Sequence, residues 1–427
     1  MREEIIDLQE VKVLLVGVDT GAEVDFERSM KELESLAEAA GRQVVGSITQ
    51  KLDVVNKALY IGTGKVREVR ELAVECEAEE IVFDNALSPS QIRNLGRELE
   101  LPIFDRTNLI LDIFALRAKT REAKLQVETA RLQYMLPRLV GMREALSRQG
   151  GASGSMSSKG AGEKKLELDR RKIEHRISEL KKELKDIAES RVTQRKRRFA
   201  SGTPQVALVG YTNAGKSTIL NRLVERFGES PDKTVMEKNM LFATLETSVR
   251  KIDSGMNTPF LLVDTVGFIH KLPHGLIQAF RSTLEEVQYA DLLVQVVDFS
   301  DENYKKQMEV TAETLKELNA GDIPQLVVYN KADICDMSEL PRIKGNQIYM
   351  AAGKNVGIDE LTELIQSKLY ADFVKCDFLI PYAKGNIASY LMQNATVLEK
   401  EYREDGIRIC VNCRSQDAMK YAIFTIE

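Results

Sequence analysis

Tryptophan is absent and aromatic residues make up only 6% of the 427-residue sequence. No aromatic ladder of the kind that stacks single-stranded bases can be drawn from it. Cysteine is also sparse. Cys76, Cys335, Cys376, Cys410 and Cys413 are an odd, dispersed set, which excludes a disulfide framework. Cys410-Val-Asn-Cys413 has the spacing of half a zinc site, but there is no second pair and the run reads as a strand. No apolar run reaches the roughly 18 residues of a membrane-spanning helix. The start, Met1-Arg2-Glu3-Glu4-Ile5-Ile6-Asp7, lacks the basic-then-apolar plan of a signal peptide. A cytoplasmic protein with no stable membrane insertion is expected.

Charge of one sign is also lacking: the net charge is −5, which argues against a uniformly basic nucleic-acid binder. Its distribution is uneven, however. Between Asp112 and Arg198 there are 23 Lys and Arg against 12 Asp and Glu, a local net of +11, which leaves −16 for the remainder. The same block carries Leu125, Leu132, Leu136 and Leu139 at helical spacing, then Leu166, Ile173, Ile177, Leu180, Leu184 and Ile187 at steps of three and four. Two helices joined by a flexible tip over Gly150–Gly162 are expected, and Glu163 to Arg198 would extend about 54 Å at 1.5 Å per residue. A basic rod of this kind suits the phosphates of structured RNA better than the base edges of DNA.

What the sequence does have is a phosphate-binding loop in its required setting. Gly210-Tyr-Thr-Asn-Ala-Gly-Lys-Ser-Thr218 fits G-x-x-x-x-G-K-[ST], directly after the apolar run Val206–Val209 and before a helix-like stretch from Ile219. Gly210, Asn213, Ala214, Gly215, Lys216, Ser217 and Thr218 are expected to line a nucleotide, with Lys216 on the β- and γ-phosphates and the Ser217 hydroxyl on Mg²⁺. Ile61-Gly-Thr-Gly-Lys65 resembles such a loop, but Leu59 stands where the first glycine is required. Downstream, Gln325–Tyr329 ends in Asn330-Lys331-Ala332-Asp333. A carboxylate at Asp333 can accept both the ring N–H and the amine of guanine, whereas adenine would leave it unsatisfied. Lys331 would cover the purine, and Asn330 would tie this loop to the phosphate loop. Ala351 and Ala352 begin an imperfect fifth element, in which the Ala352 N–H would meet the guanine carbonyl.

Between these elements, Asp264-Thr-Val-Gly267 follows a strand-like run and reads as the γ-phosphate switch. Asp264 would hold Mg²⁺ through water and the Gly267 N–H would contact the γ-phosphate. Thr244 is the expected second Mg²⁺ ligand, with Thr234 the runner-up. Many GTPases place Gln after D-x-x-G to orient the attacking water, whereas this chain has Phe268. Lys216, Gly267, Thr244 and Asn213 are the expected catalytic set. Unaided hydrolysis should be slow and open to stimulation by a partner. Asn213 either recruits K⁺ or only shapes the loop. His270 and His274 are expected to face solvent.

The expected fold class is α/β, with a P-loop GTPase domain between a small N-terminal α/β domain with a helical hairpin and a small α+β domain. The expected boundaries are 1–111 for the N-terminal α/β domain, 112–200 for the basic hairpin, 201–372 for the GTPase domain and 373–427 for the C-terminal domain. In the first, Val11–Val18 and Glu80–Phe83 read as strands, Phe26–Ala39 as a helix, and Ser88-Pro89 as a capped helix start. In the last, Asn386–Asn394 reads as a helix and Ile407–Val411 and Tyr421–Ile426 as strands.

Several segments resemble the HflX family of ribosome-associated GTPases: Tyr60-Ile-Gly-Thr-Gly-Lys65, Leu132-Gln-Tyr-Met-Leu-Pro-Arg-Leu139, Gly160-Ala-Gly-Glu163, Leu168-Asp-Arg-Arg171, Leu241-Phe-Ala-Thr-Leu245, Asp264-Thr-Val-Gly-Phe268, Ile380-Pro-Tyr382 and Glu401-Tyr-Arg-Glu-Asp-Gly406. The resemblance covers essentially the whole chain. It implies GTP as substrate and GDP as product, with Mg²⁺. It also implies binding to the large ribosomal subunit and its RNA, splitting of stalled or idle ribosomes, and hydrolysis stimulated by the ribosome. The tip departs from the family pattern, with Lys159 for Arg and Ala161 for Pro. Other readings are a GTP-dependent scaffold that holds ribosomes dormant or assists their assembly, and an RNA-remodelling NTPase acting away from the ribosome.

Overall fold

The computed structural model describes residues 11–21, 25–148, 156–200, 203–228, 242, 248–254, 258–269, 286–335, 337 and 339–426. They form two compact units. One takes in the described residues up to Asp186 together with Phe242, and the other takes in the rest from Ile187 onward.

The first unit is built on a parallel sheet in the order β2-β1-β3-β4, from β1 (Val11–Asp19), β2 (Arg42–Lys51), β3 (Glu80–Phe83) and β4 (Ile103–Asp105). Strand β1 lies inside the sheet and is buried from Val13 to Val18, as its near-continuous apolar run requires. Helices α1 (Phe26–Ala39), α2 (Thr63–Glu75) and α3 (Pro89–Leu99) make the crossovers, and α4 (Arg106–Arg117) follows β4. Ser88 and Gln91 form a capping box ahead of α3, with Pro89 in its first turn. The Gly62-Thr-Gly segment, which fails the phosphate-loop spacing, simply begins α2 with Gly62 as N-cap. Both α2 and β2 lack a clean sequence signal: α2 opens on that glycine-rich run, and β2 is half-exposed along its length.

Helices α5 (Arg121–Arg148) and α6 (Met156–Ala200) are the expected pair. They run antiparallel, with Arg121 bonded to Glu183 at 2.7 Å and Arg176 to Glu128 at 2.8 Å. Ile177 and Leu180 of the predicted stripe are buried. The tip is shorter than expected. Residues 156–162, read as flexible from their Gly and Ser content, are helical, so α6 has 45 residues and reaches about 68 Å. Helical continuity with the long Leu/Ile stripe outweighs the weak local propensity there. The rod is anchored at its base by Asp105. This fully buried carboxylate accepts from the Tyr134 hydroxyl, from Arg138 Nη2 at 3.1 Å and from the Asn108 N–H at 3.1 Å, while Arg138 stacks 3.2 Å over the Tyr134 ring. Burial, then the Asp105 charge, push the Tyr134 hydroxyl far above its ordinary range.

The second unit contains a seven-stranded sheet in the order β10-β11-β9-β8-β5-β7-β6. Its strands are β5 (Gln205–Gly210), β6 (Ser248–Ile252), β7 (Phe260–Asp264), β8 (Leu292–Asp298), β9 (Gln325–Asn330), β10 (Arg342–Lys344) and β11 (Gln347–Tyr349). Only the edge strands β6 and β10 are antiparallel to their neighbours. Helix α7 (Lys216–Phe227) packs on the sheet with α9 (Ile358–Leu369), and α8 (Tyr304–Glu317) links β8 to β9. Strand β5, buried at every residue, lies between β8 and β7, so the strand order reverses around it. Ligands in open α/β sheets bind outside the C-terminal ends of strands at such a point.

A three-stranded antiparallel sheet, β12-β14-β13, ends the chain, from β12 (Phe373–Ile380), β13 (Thr396–Arg403) and β14 (Gly406–Arg414). Helices α10 (Gly385–Asn394) and α11 (Ser415–Lys420) accompany it. Two expectations need correction. Tyr421–Ile426 is not a strand; Ala422–Phe424 form a 3-10 turn, and only Thr425 bridges to Phe378. Strand β13 was missed because its residues from Glu399 to Arg403 are exposed and charged, apart from Tyr402. Cys410 and Cys413 both lie in β14, three apart, so they point to opposite faces and cannot share one metal ion.

Candidate nucleotide site

The phosphate loop leaves β5 at Gly210, where φ is +143° and a side chain would meet Val296 O at 2.2 Å, so only glycine fits. It ends at Gly215, the N-cap of α7, with φ +97°. Helix α7 therefore presents its N-terminal N–H groups at the switch point of the sheet, an arrangement suited to an anion. Lys216 opens the helix and is 6% exposed, its ammonium donating to the carbonyls of Gly210 at 3.0 Å and Tyr211 at 2.7 Å. Burial pulls its pKa down to about 8, and the nearby Asp264 charge pulls in the other direction.

Asp264 ends β7 and is fully buried. Its Oδ2 accepts from Ser217 Oγ at 3.0 Å, so a hydroxyl and a carboxylate stand side by side, a donor pair that fits a small hard cation such as Mg²⁺. The neighbouring Thr265 hydroxyl donates to Leu208 O at 2.6 Å and fixes this strand end to β5. Past it, the chain turns back onto the phosphate loop. The Phe268 N–H donates to Gly210 O at 3.1 Å and the Thr212 N–H to Phe268 O at 2.8 Å. Gly267 is thereby held where a side chain would lie 3.0 Å from Lys216 Nζ and 2.8 Å from Thr212 Cγ2. The Phe268 side chain is buried and offers no polar atom.

On the other side of the loop, Asn330 ends β9. Its Nδ2 donates to Ala214 O at 3.0 Å and its Oδ1 accepts from the Ala352 N–H at 3.0 Å, so one amide braces three loops. The Ala352 N–H, read from sequence as facing the guanine carbonyl, is thus engaged by Asn330. Ala351 beside it bonds to Val356. Lys331, at φ +60°, reaches Asp298 at 2.7 Å, and Asp333 pairs with the exposed Lys354 at 2.9 Å. Asn213 is exposed at φ +61° and Thr218 is half-buried in the first turn of α7. That φ is what a loop-shaping Asn supplies, and the exposure leaves its amide oxygen open to a cation. Thr244, Thr234, His270 and His274 lie outside the described residues.

Two residues were missed by sequence reasoning. Thr212 is 6% exposed, and its hydroxyl oxygen has no hydrogen-bond partner among the described residues. Its place inside the loop motif was the only available signal. Phe242, two positions before Thr244, is 2% exposed at φ +54° and packs edge-to-face on Phe114 of α4 with ring centroids 4.8 Å apart.

Three family models match the chain. Residues 27–115 match the family described as GTP-binding GTPase N-terminal, and 117–198 match GTP-binding GTPase middle region. Residues 205–331 match the family described as 50S ribosome-binding GTPase. The GTPase HflX of Lacrimispora saccharolytica is 43% identical over 408 residues, covering 95% of this chain and 94% of that protein. That of Escherichia coli K12 is 37% identical over 409 residues, covering 94% and 93%. Among solved structures, a GTP-binding protein of Sulfolobus solfataricus in complex with GDP aligns with 24% identity and a TM-score of 0.44, over 84% of this chain and all of that one. With relatives of this similarity along nearly its whole length, the chain belongs to the HflX family of GTPases and hydrolyses GTP to GDP and phosphate.

Proposed function

We propose that this GTPase is a cytoplasmic translation factor that binds the large ribosomal subunit in its GTP state, splits stalled or idle ribosomes, and is released by hydrolysis that the ribosome stimulates. The observation that carries the reading is Phe268. It is buried, apolar and bonded through its backbone to the phosphate loop, at the position where many GTPases orient water. An isolated site of this kind hydrolyses slowly and gains from charge supplied by a partner, which can add a factor of about 10³–10⁵. The family description matched by residues 205–331 names the 50S ribosome, and the +11 segment from Asp112 to Arg198 suits ribosomal RNA.

In this reading the N–H groups at the start of α7 and Lys216 hold the phosphates, and Asp333 selects guanine. Mg²⁺, held by Ser217 and, through water, by Asp264, with Thr244 added in the GTP state, would offset phosphate charge. Asn213 would hold K⁺ where a partner's arginine acts in other GTPases. The Gly267 N–H senses the γ-phosphate, so its loss frees the segment after Asp264. The split state must be bound more tightly than the joined one, since equal affinity shifts nothing. Sedimentation of 70S ribosomes with the protein and a non-hydrolysable GTP analogue tests this: free subunits support splitting, and intact ribosomes carrying the protein favour a dormancy scaffold.

A further inference from the structure

We propose that the Thr212 hydroxyl is a catalytic hydrogen-bonding group for GTP hydrolysis, donating to the terminal phosphate as the attacking water adds. Thr212 is the third residue of the phosphate loop. Its backbone N–H is spent on Phe268 O at 2.8 Å, so the hydroxyl is the only donor it has left for a ligand. That hydroxyl is buried and without a partner among the described residues. A buried polar atom left unpaired calls for a partner such as a water, an ion or a ligand. Valine has the same shape and would fill the site without the cost of an unpaired hydroxyl.

The position identifies the ligand. A side chain built at Gly267 would meet Thr212 Cγ2 at 2.8 Å, Thr212 Cα at 2.9 Å and Lys216 Nζ at 3.0 Å. The methyl and Cα of Thr212 therefore border the same small space as Gly267 and the phosphate-binding ammonium, and the hydroxyl, carried on the same Cβ as that methyl, is one side-chain rotation from it. In this proposal the terminal phosphate, which GDP lacks, is the group that enters this space and meets the hydroxyl. In the reaction, water oxygen bonds to the γ-phosphorus, the bond from that phosphorus to the β–γ bridging oxygen breaks, GDP leaves with that electron pair, and the water proton passes to phosphate. The Thr212 hydroxyl keeps its own proton throughout and stabilises charge on a γ oxygen. It thus supplies a polar contact in a site where Phe268 supplies none. The inference depends on GTP hydrolysis by this chain and is independent of the ribosome.

The test compares Thr212→Val and Thr212→Ser in full-length protein by single-turnover GTP hydrolysis, GDP affinity and thermal unfolding. Thr212→Val should hydrolyse GTP about 10²-fold more slowly, at the low end for loss of one oxyanion donor. Its GDP affinity should stay within twofold of wild type, and its unfolding temperature should be equal or higher. Thr212→Ser should recover hydrolysis to within about fivefold of wild type. Hydrolysis by Thr212→Val within twofold of wild type overturns the proposal. So does a folded, GDP-binding Thr212→Ser as slow as Thr212→Val.

Discussion

Two glycine-rich segments precede a lysine in this chain, and the structure gives them opposite responses to the same substitution. At Gly215 an alanine methyl would lie 2.2 Å from Asn330 Nδ2, at a backbone φ of +97°. Asn330 must withdraw, losing its bonds to Ala214 O and the Ala352 N–H, both 3.0 Å. Two such bonds contribute about 0.5–1.5 kcal/mol each, and a left-handed non-glycine residue costs about 1–3 kcal/mol. Gly215→Ala should therefore destabilise the second unit by about 2–6 kcal/mol. Because Asn330 braces the guanine loop against the phosphate loop, the Kd for GDP should rise at least about tenfold, or 1.4 kcal/mol. At Gly64, in the exposed first turn of α2, an added methyl meets nothing within 4 Å. Gly64→Ala should stabilise the first unit by roughly 0.5–1 kcal/mol and leave GDP binding untouched. Since tryptophan is absent, urea unfolding is followed by circular dichroism and binding by a fluorescent GDP analogue. Gly215→Ala that binds GDP within twofold of wild type, or Gly64→Ala that loses binding, would refute the reasoning.

Asp105→Ala should cost about 1.5–3 kcal/mol, because it takes the carboxylate acceptor from the half-buried Tyr134 and Arg138; a loss below 1 kcal/mol in thermal unfolding would contradict that role. Burial raises the Cys413 thiol to about 12, so it should resist iodoacetamide in folded protein from pH 7 to 9, and quantitative labelling there would be the contrary result. The same shift gives a sign for stability. The folded pKa lies above the unfolded one, so the contribution is complete below about pH 9 and is lost as pH rises toward 12. Phe268→Gln should destabilise the protein without raising intrinsic turnover, since the side chain is buried; a tenfold faster intrinsic rate would show that the glutamine reaches the water.

The parts most legible in the sequence were those with local physical signatures. The apolar run before Gly210 becomes the fully buried β5, and Ser88-Pro89-x-Gln91 becomes a capped helix. The Ile177 and Leu180 steps become the buried face of α6. The phosphate loop was legible because its glycines answer contacts that no other residue survives, as with Gly210 against Val296 O. What stayed hidden depends on distant partners. Strand β13 is an exposed edge with charged residues, and α2 begins at glycines that suggested a loop. Nothing local marks Thr212 as carrying a buried unpaired hydroxyl, or Asn330 Oδ1 as the acceptor for the Ala352 N–H; both follow from which strand ends the sheet brings together.

The most direct test is GTP turnover in K⁺ buffer with and without purified large ribosomal subunits, with Lys216→Ala as control. The account predicts slow turnover alone, stimulation by at least two orders of magnitude on adding the subunit, and neither with Lys216→Ala. Turnover unchanged by the subunit, in protein that still binds GDP, would contradict it.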